Sequence, residues 1–222
     1  MREDAWVTHA DIVEAAQRAT RWVHPVTAEV SAALSRDSQG VCAVSSADAV
    51  SRELPEPSVG ETLVVLAQGR DPGNVGTIIR TADAFGAVGV ITVSGTVEAT
   101  SPKVVRASAG SVFHIPVCIV PSFEEAHALI HRRSAALLGT SGGAGSLDLS
   151  QMLAQGVSGR SRLSQSHAWV FGNEAKGLSG AEMRLCDALV SIPMTGDAES
   201  LNVASAATAC LFASQTVRGM AL

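Results

Sequence analysis

Apolar residues recur along this chain in two rhythms, and the change between them falls near residue 60. Before it, Ile12, Ala15, Ala16, Ala19 and Val23 return at helical spacing, which predicts one amphipathic helix over residues 8–22, capped by Thr8 and stopped by Pro25. A second helix is expected over residues 27–34 and a short strand over 40–44. Residues 51–60 hold two prolines among mixed charges and read as a linker. Beyond it, residues 62–67 form a continuous apolar run, as expected of a strand buried on both faces of a parallel sheet. Asp71-Pro72-Gly73 reads as a turn in which Pro72 presets φ and Gly73 tolerates a positive φ. It leads into a helix over 74–85 with Ile78, Ile79, Ala82 and Phe85 as its core stripe and Gly76 and Arg80 on another face.

Strands are expected at 88–93, 117–120 and 135–138. Ser101-Pro102 has the cap-and-proline form of a helix start. A helix over 122–132 carries Ser122 and Glu125 at capping-box spacing. A glycine-rich loop over 139–145 and a polar stretch through Ser166 follow, then strands at 168–171 and 188–192 and a last helix over 201–217. Strands alternating with helices predict an α/β fold, a mostly parallel sheet with helices on both faces. That domain spans residues 59–222, behind a short amino-terminal region, residues 1–58. In such sheets ligands bind at the carboxyl ends of the strands. The runs ending at Phe171 and Ile192 break there into small and polar residues.

The 222 residues suffice for one large domain with an appendage, and 46% hydrophobic content describes an ordinary core. Tyr is absent, so packing falls to Ala, Val, Leu and Gly. A formal charge of −5 argues against strong non-specific attraction to nucleic acid, so a polyanion would have to meet a local patch. Cys42, Cys118, Cys186 and Cys210 form no C-x-x-C pair and read as buried, reduced thiols. The acidic start is unlike a secretory signal, and no apolar run approaches the ~20 residues of a membrane span. The expectation is a soluble, cytoplasmic protein.

Two features tempt and fail. The loop at Gly143-Ala144-Gly145 lacks the third glycine of a dinucleotide fingerprint and reads as a flexible turn. His127 and His131 share a helix face without the Glu of H-E-x-x-H or a third ligand, so no metal site is expected. No Ser-His-Asp or G-x-S-x-G arrangement stands out.

Three other segments say more together than singly. Residues 71–86 put Asn74 at a helix start and Arg80 further along; 171–179 put Glu174 at a strand end; Ser191-Ile192-Pro193-Met194 and Ser200-Leu201-Asn202-Val203 close the set. In this order they resemble the motifs of the SpoU, or TrmH-like, family of RNA ribose 2′-O-methyltransferases, from about Gly60 to the carboxyl terminus. The resemblance implies a SPOUT-type fold whose carboxyl-terminal segment forms a deep trefoil knot. It also implies S-adenosylmethionine held largely by backbone at Thr140, Gly172, Ile192, Met194 and Leu201. Simple core packing accounts equally for Ile192, Met194 and Leu201, and a turn for Gly172.

Asn74, Arg80, Glu174, Ser200 and Asn202 become the catalytic neighbourhood by the same resemblance. Arg80 is then either the base for the ribose hydroxyl or a clamp on RNA phosphate, and a guanidinium that stays protonated suits the second role at least as well. Lys103 and Arg106 align with a segment facing RNA in relatives, though a solvated helix face explains them too. The alanine-rich last helix is implied to pair two copies into a homodimer, with burial on the sheet as the alternative. The substrate is expected to be ribosomal RNA ahead of transfer RNA; a non-catalytic knotted RNA- or cofactor-binding module is the rival. Relatives often carry a full amino-terminal RNA-binding domain, of which residues 1–58 look like a shortened remnant.

Overall fold

A computed structural model describes residues 1–36, 38–143, 145–156 and 160–220. It divides into two units, Met1–Ser46 and Ala47–Leu222. In the smaller, the helix expected over residues 8–22 is α2 (Ala10–Ala19), and an unexpected helix, α1 (Glu3–Thr8), precedes it, the two separated at His9 with φ −121° and ψ 48°. Thr8 caps nothing; its hydroxyl bonds back to the Asp4 carbonyl. The helix ends well before Pro25 because the Thr20 hydroxyl accepts the Trp22 N–H, offering the backbone a local alternative to the helix. The buried residue of α2 is Val13, while Ile12, Ala15 and Ala19 of the expected stripe are exposed. Helix α3 (Ala28–Leu34) starts as predicted, with Thr27 capping the Val30 N–H. Residues 40–44 form no strand: the pairing present here runs through Arg2, whose N–H donates to the Gly40 carbonyl and which bridges Val26.

The larger unit is built on a seven-stranded sheet. In chain order its elements are β1 (Thr62–Leu66), α4 (Pro72–Ala84), β2 (Gly89–Val93), α5 (Pro102–Ala107), β3 (Val117–Val120), α6 (Phe123–Arg132), β4 (Ala136–Thr140), β5 (Leu147–Asp148), α7 (Leu149–Gly156), β6 (His167–Phe171), α8 (Gly180–Leu185), β7 (Ala188–Ser191) and α9 (Val203–Met220). The strands lie in the order β3-β2-β1-β6-β4-β7-β5, and every neighbouring pair is parallel. Successive residues of β1 serve opposite cores, as a pleated strand requires. Val64 and Leu66 join Ile78, Ile79, Ala207 and Leu211 from α4 and α9; Leu63 and Val65 join Phe123, Ala126 and Ile130 from α6. Helices therefore cover both faces, the expected α/β arrangement.

The polar stretch before Ser166 hides α7, which buries Leu149 and Met152 behind a start where Asp148 accepts the N–H groups of Ser150 and Gln151. Two helical turns give too short a period to stand out. Residues 157–159 of that stretch, like Ala144 in the glycine-rich loop, lie outside the described residues. At Ser122 only half of the expected box forms: its hydroxyl caps the Glu125 N–H. Of the cysteines, Cys210 is buried and Cys42, Cys118 and Cys186 are only partly so; all are free thiols.

Two buried polar groups tie the outer segments to the sheet. Glu61 precedes β1 and meets Arg133 in a two-pronged ion pair, Nε to Oε1 at 2.7 Å and Nη2 to Oε2 at 2.8 Å. Arg133 also donates to the Pro55 carbonyl, and the Ser58 N–H donates to Glu61. Residues 51–60 are thereby strapped to the larger unit. Burial works against the Glu61 charge, but Arg133 and Ser58 overcome it and hold the carboxyl below its usual range. On the other face, His167 Nδ1 lies 2.7 Å from the Gln165 carbonyl, which only accepts, so Nδ1 carries the proton. The Ser214 hydroxyl of α9 then donates to Nε2 at 2.7 Å and receives the Trp169 indole N–H at 2.8 Å. Burial pushes the His167 pKa down to about 4.

Substituting Arg133→Met leaves the Glu61 charge buried and unpaired, and is expected to cost about 3–5 kcal/mol in denaturant unfolding. An unchanged midpoint would show that the pair is idle. His167 folds neutral, so its contribution is complete above the ordinary histidine pKa of about 6.5 and is lost as pH falls towards 4. The unfolding free energy should drop by roughly 3 kcal/mol across that window. His167→Gln should flatten the slope there; losses below it belong to carboxylates such as Glu61.

Candidate active site

The carboxyl ends of β4, β6 and β7 and the start of α9 enclose a cleft of about 460 Å³. Thr140, Gly172, Ile192, Met194 and Leu201 all line it, along with Glu174 and Ser200. Residues more than sixty positions apart, such as Thr140 and Leu201, meet because their strands are near neighbours and all point the same way. The Thr140 hydroxyl donates to the Val170 carbonyl at 2.9 Å, tying β4 to β6 at the rim.

Behind Phe171 the chain reverses within one tight loop. Asn173 and Gly177 exchange main-chain hydrogen bonds at 3.0 and 2.8 Å, and the Asn173 side chain accepts the N–H groups of Ala175 and Lys176. Gly177 supplies the left-handed φ of +66° that closes the turn. Gly172 is required for a different reason. A Cβ there would lie 2.4 Å from the Gly177 carbonyl, so any side chain would force the loop open.

That loop carries Glu174 to the amino-terminal end of α4. Its Oε1 accepts from the Asn74 side-chain amide and from the Asp71 N–H, each at 3.4 Å. The Asn74 carbonyl oxygen accepts from the Asn202 amide at 3.0 Å, and Asn202 Oδ1 accepts the Ala204 N–H at 2.8 Å. The orientations are fixed by chemistry. A backbone N–H must face an oxygen, so Asn202 turns its NH₂ to Asn74; Asn74 then turns its own NH₂ to a carboxylate that can only accept. Asn202, Asn74 and Glu174 thus form one directed chain from α9 through α4 to the loop after β6.

Arg80 stands apart. It is exposed on α4, and its side chain forms no hydrogen bond or ion pair with another described residue. Six residues beyond Asn74, it lies about 9 Å further along the helix and on another face. Lys103 and Arg106, both exposed on α5, border a second, shallower concavity with Asp71, Pro72, Gly73 and Ala107. Helix α5 can lie this close because Gly76 has no side chain; a Cβ there would sit 2.5 Å from that of Ala107.

Sequence reasoning passed over Ser141 and Gly142, dismissed with the glycine-rich loop, which form part of the cleft wall. It also passed over Asp71, whose carboxylate accepts the Asn74 N–H at 2.8 Å. Gly73 needed correcting: it lies within α4, outside the positive-φ region, and a Cβ there would come 2.9 Å from Asp71 Oδ1.

Comparison with known proteins meets this geometry at the same residues. The model of the SpoU rRNA methylase family matches residues 61–212. A 23S rRNA uridine 2′-O-methyltransferase of Streptomyces viridochromogenes is 42% identical over 146 residues, 64% of this chain and 47% of the relative. A 23S rRNA guanosine 2′-O-methyltransferase of Bordetella pertussis is 34% identical over 208 residues, 91% of this chain and 81% of its own length. The chain therefore spans about half of the first relative and most of the second. The crystal structure of the S. viridochromogenes SpoU methyltransferase in complex with AdoMet superposes with a TM-score of 0.63 and 38% identity, covering 73% of this chain and 61% of that one. With the matched region taking in the whole cleft and the Asn202–Asn74–Glu174 chain beside it, this protein belongs to the SpoU rRNA methylase family.

Proposed function

We propose that the protein is an S-adenosylmethionine-dependent RNA methyltransferase acting on a ribose 2′-hydroxyl, in ribosomal RNA ahead of transfer RNA. The observation that carries this is the meeting of a strand-end cleft with the directed Asn202–Asn74–Glu174 chain. At about 460 Å³ the cleft has the size of small-molecule cofactor sites. Its mixed wall, with Met194 and Leu201 beside strand-end main chain, suits a ligand with one apolar and one polar part. The backbone at Thr140, Gly172, Ile192, Met194 and Leu201 would hold the cofactor, which supplies an electrophilic methyl group when bound. That a SpoU relative was crystallised with AdoMet supports the assignment. The relatives named for 23S rRNA, one for uridine and one for guanosine, support the substrate class and leave the base open.

In this scheme Glu174 and Asn202 orient Asn74 toward the ribose, and Ser200 on the cleft wall offers a further hydroxyl. Arg80, permanently protonated, neutralises an RNA phosphate, since a guanidinium is a poor proton acceptor. Lys103 and Arg106 extend that cationic surface on a chain whose net charge is −5. Residues 1–58 are assigned to RNA selection; the likeness to the B. pertussis enzyme, over 91% of this chain, takes in most of them.

The trefoil knot is part of the same proposal. β7 lies between β4 and β5, and residues 141–146 join those two strands. Thr140 and Leu147 both sit level with Val190, so the chain leaving β7 passes beside that connection. Such a path supports threading of the carboxyl-terminal segment. The homodimer is supported by Phe212, half exposed on α9 and in edge contact with Phe85. Among the described residues no helix is long and apolar enough to cross a membrane, and no group of three or more His, Cys, Asp or Glu side chains could hold a metal ion. We place the enzyme in the cytoplasm, with the RNA on which the named relatives act.

With labelled S-adenosylmethionine and ribosomal RNA, Arg80→Ala should keep cofactor affinity and lose methylation by at least about 100-fold. Full activity in that variant would remove Arg80 from the site, and an inactive wild type on every RNA would leave only the non-catalytic reading. In sedimentation velocity the wild type should run at twice 22.8 kDa. Phe212→Glu should shift it toward the monomer; an unchanged dimer would place the interface elsewhere.

A further inference from the structure

Asp71 is not among the groups assigned above to RNA or cofactor, yet both ends of the Glu174 contact depend on it. Its carboxylate accepts the Asn74 N–H at 2.8 Å and its carbonyl accepts the Val75 N–H at 3.0 Å, which together set where α4 begins. Its own N–H donates to Glu174 Oε1 at 3.4 Å, the oxygen that also receives the Asn74 side-chain amide. Glu174 is therefore clipped by two donors, one belonging to Asp71 and the other placed by it.

The neighbours complete the device. Asp71 is extended, with φ −88° and ψ 118°, and Pro72 follows in the first turn, where its missing N–H costs nothing. Gly73 leaves the room into which the carboxylate folds back; a Cβ at that position would lie 2.9 Å from Asp71 Oδ1. An ordinary cap does not also donate to an acidic residue one hundred and three positions away.

We propose that Asp71 is a positioning residue for the methyl-transfer site, which holds Asn74 and Glu174 in mutual register, with Gly73 leaving room beside its carboxylate. The inference rests on the methyltransferase reading for its kinetic consequence, but its structural content does not require turnover. A misplacement of about 1 Å at a reacting site costs on the order of 100-fold in rate, so a shift of the clip should appear in kcat.

The test compares Asp71→Ala, Asp71→Asn and Gly73→Ala with the wild type, all as the full chain. Asp71→Ala and Gly73→Ala should lower kcat on ribosomal RNA roughly 10- to 100-fold while the KM for S-adenosylmethionine stays within about threefold. Asp71→Asn keeps the accepting oxygen and should recover most of the rate. Asp71→Ala and Glu174→Ala should combine less than multiplicatively, because both break one clip. Independently of turnover, the Asn74 side-chain amide resonance in ¹⁵N-labelled protein should move in Asp71→Ala and Gly73→Ala and hold in Asp71→Asn. Wild-type kcat in Asp71→Ala, multiplicative losses, or an unmoved Asn74 resonance would each overturn the proposal. Should Asp71→Ala fail to fold, the Gly73→Ala and Asp71→Asn pair decides by the same readouts. A wild type that methylates no RNA defeats the methyltransferase reading instead, and the Asn74 resonance still decides for or against the clip.

Discussion

β6 is the sixth strand in the chain and the central strand of the sheet, hydrogen-bonded to β1 on one side and β4 on the other. Its side chains are buried on both faces, with Trp169 and Phe171 in one core and Ala168 and Val170 in the other. Burying a large apolar side chain contributes roughly 1.5–3 kcal/mol. Two of the polar atoms it brings along, His167 Nε2 and the Trp169 indole N–H, are satisfied by one hydroxyl of α9, Ser214. That shared hydroxyl couples the central strand to the last helix, and the start of that helix holds Asn202. A buried polar network of this kind is tolerable only when every member is paired.

From the end of β6 the constraint passes outward. Gly172 and Gly177 let the chain fold back on itself with almost no clearance, which delivers Glu174 to α4. The Asn202–Asn74–Glu174 chain has a single sense, because a backbone N–H stands at one end and a carboxylate at the other. Each side chain in it comes from a different segment, so its geometry reports the docking of α4, α9 and the β6 loop together. Arg80, Lys103 and Arg106 lie on the outer surfaces of α4 and α5, where they face solvent. The proposed division of labour follows: main chain inside the cleft for a small ligand, cations outside it for a polyanion.

Much of this was legible from residue order. All strands of the larger unit but the two-residue β5 declared themselves as short apolar runs, and Ser101, Ser122 and Thr27 marked helix starts that the structure keeps. The cleft residues were named through the resemblance of three separated motifs, which periodicity by itself could not have assembled. Local patterns misled where a competing local bond or a missing partner decided the outcome. Thr20 ended early the helix that the spacing of alanines had drawn to Trp22, and His9 stands where it begins, behind a short helix that the spacing did not show. Residues 40–44 had strand composition and no ladder to join. Gly73 looked like a turn glycine, and its use is steric, in a space defined only once Asp71 folds back.

The sequence by itself determined the alternation of strands and helices, because burial on one or two faces leaves a period in the chain that needs no knowledge of neighbours. It also determined which residues could carry the chemistry, because donors, acceptors and charges are properties of side chains. Which of them meet was decided by tertiary structure alone. The order β3-β2-β1-β6-β4-β7-β5 brings Thr140, Gly172 and Ile192 to one rim, and the docking of α4 against the β6 loop brings Asn74 to Glu174. It leaves Arg80 exposed on α4, off the Asn202–Asn74–Glu174 chain, because six residues along a helix are about 9 Å and a different face.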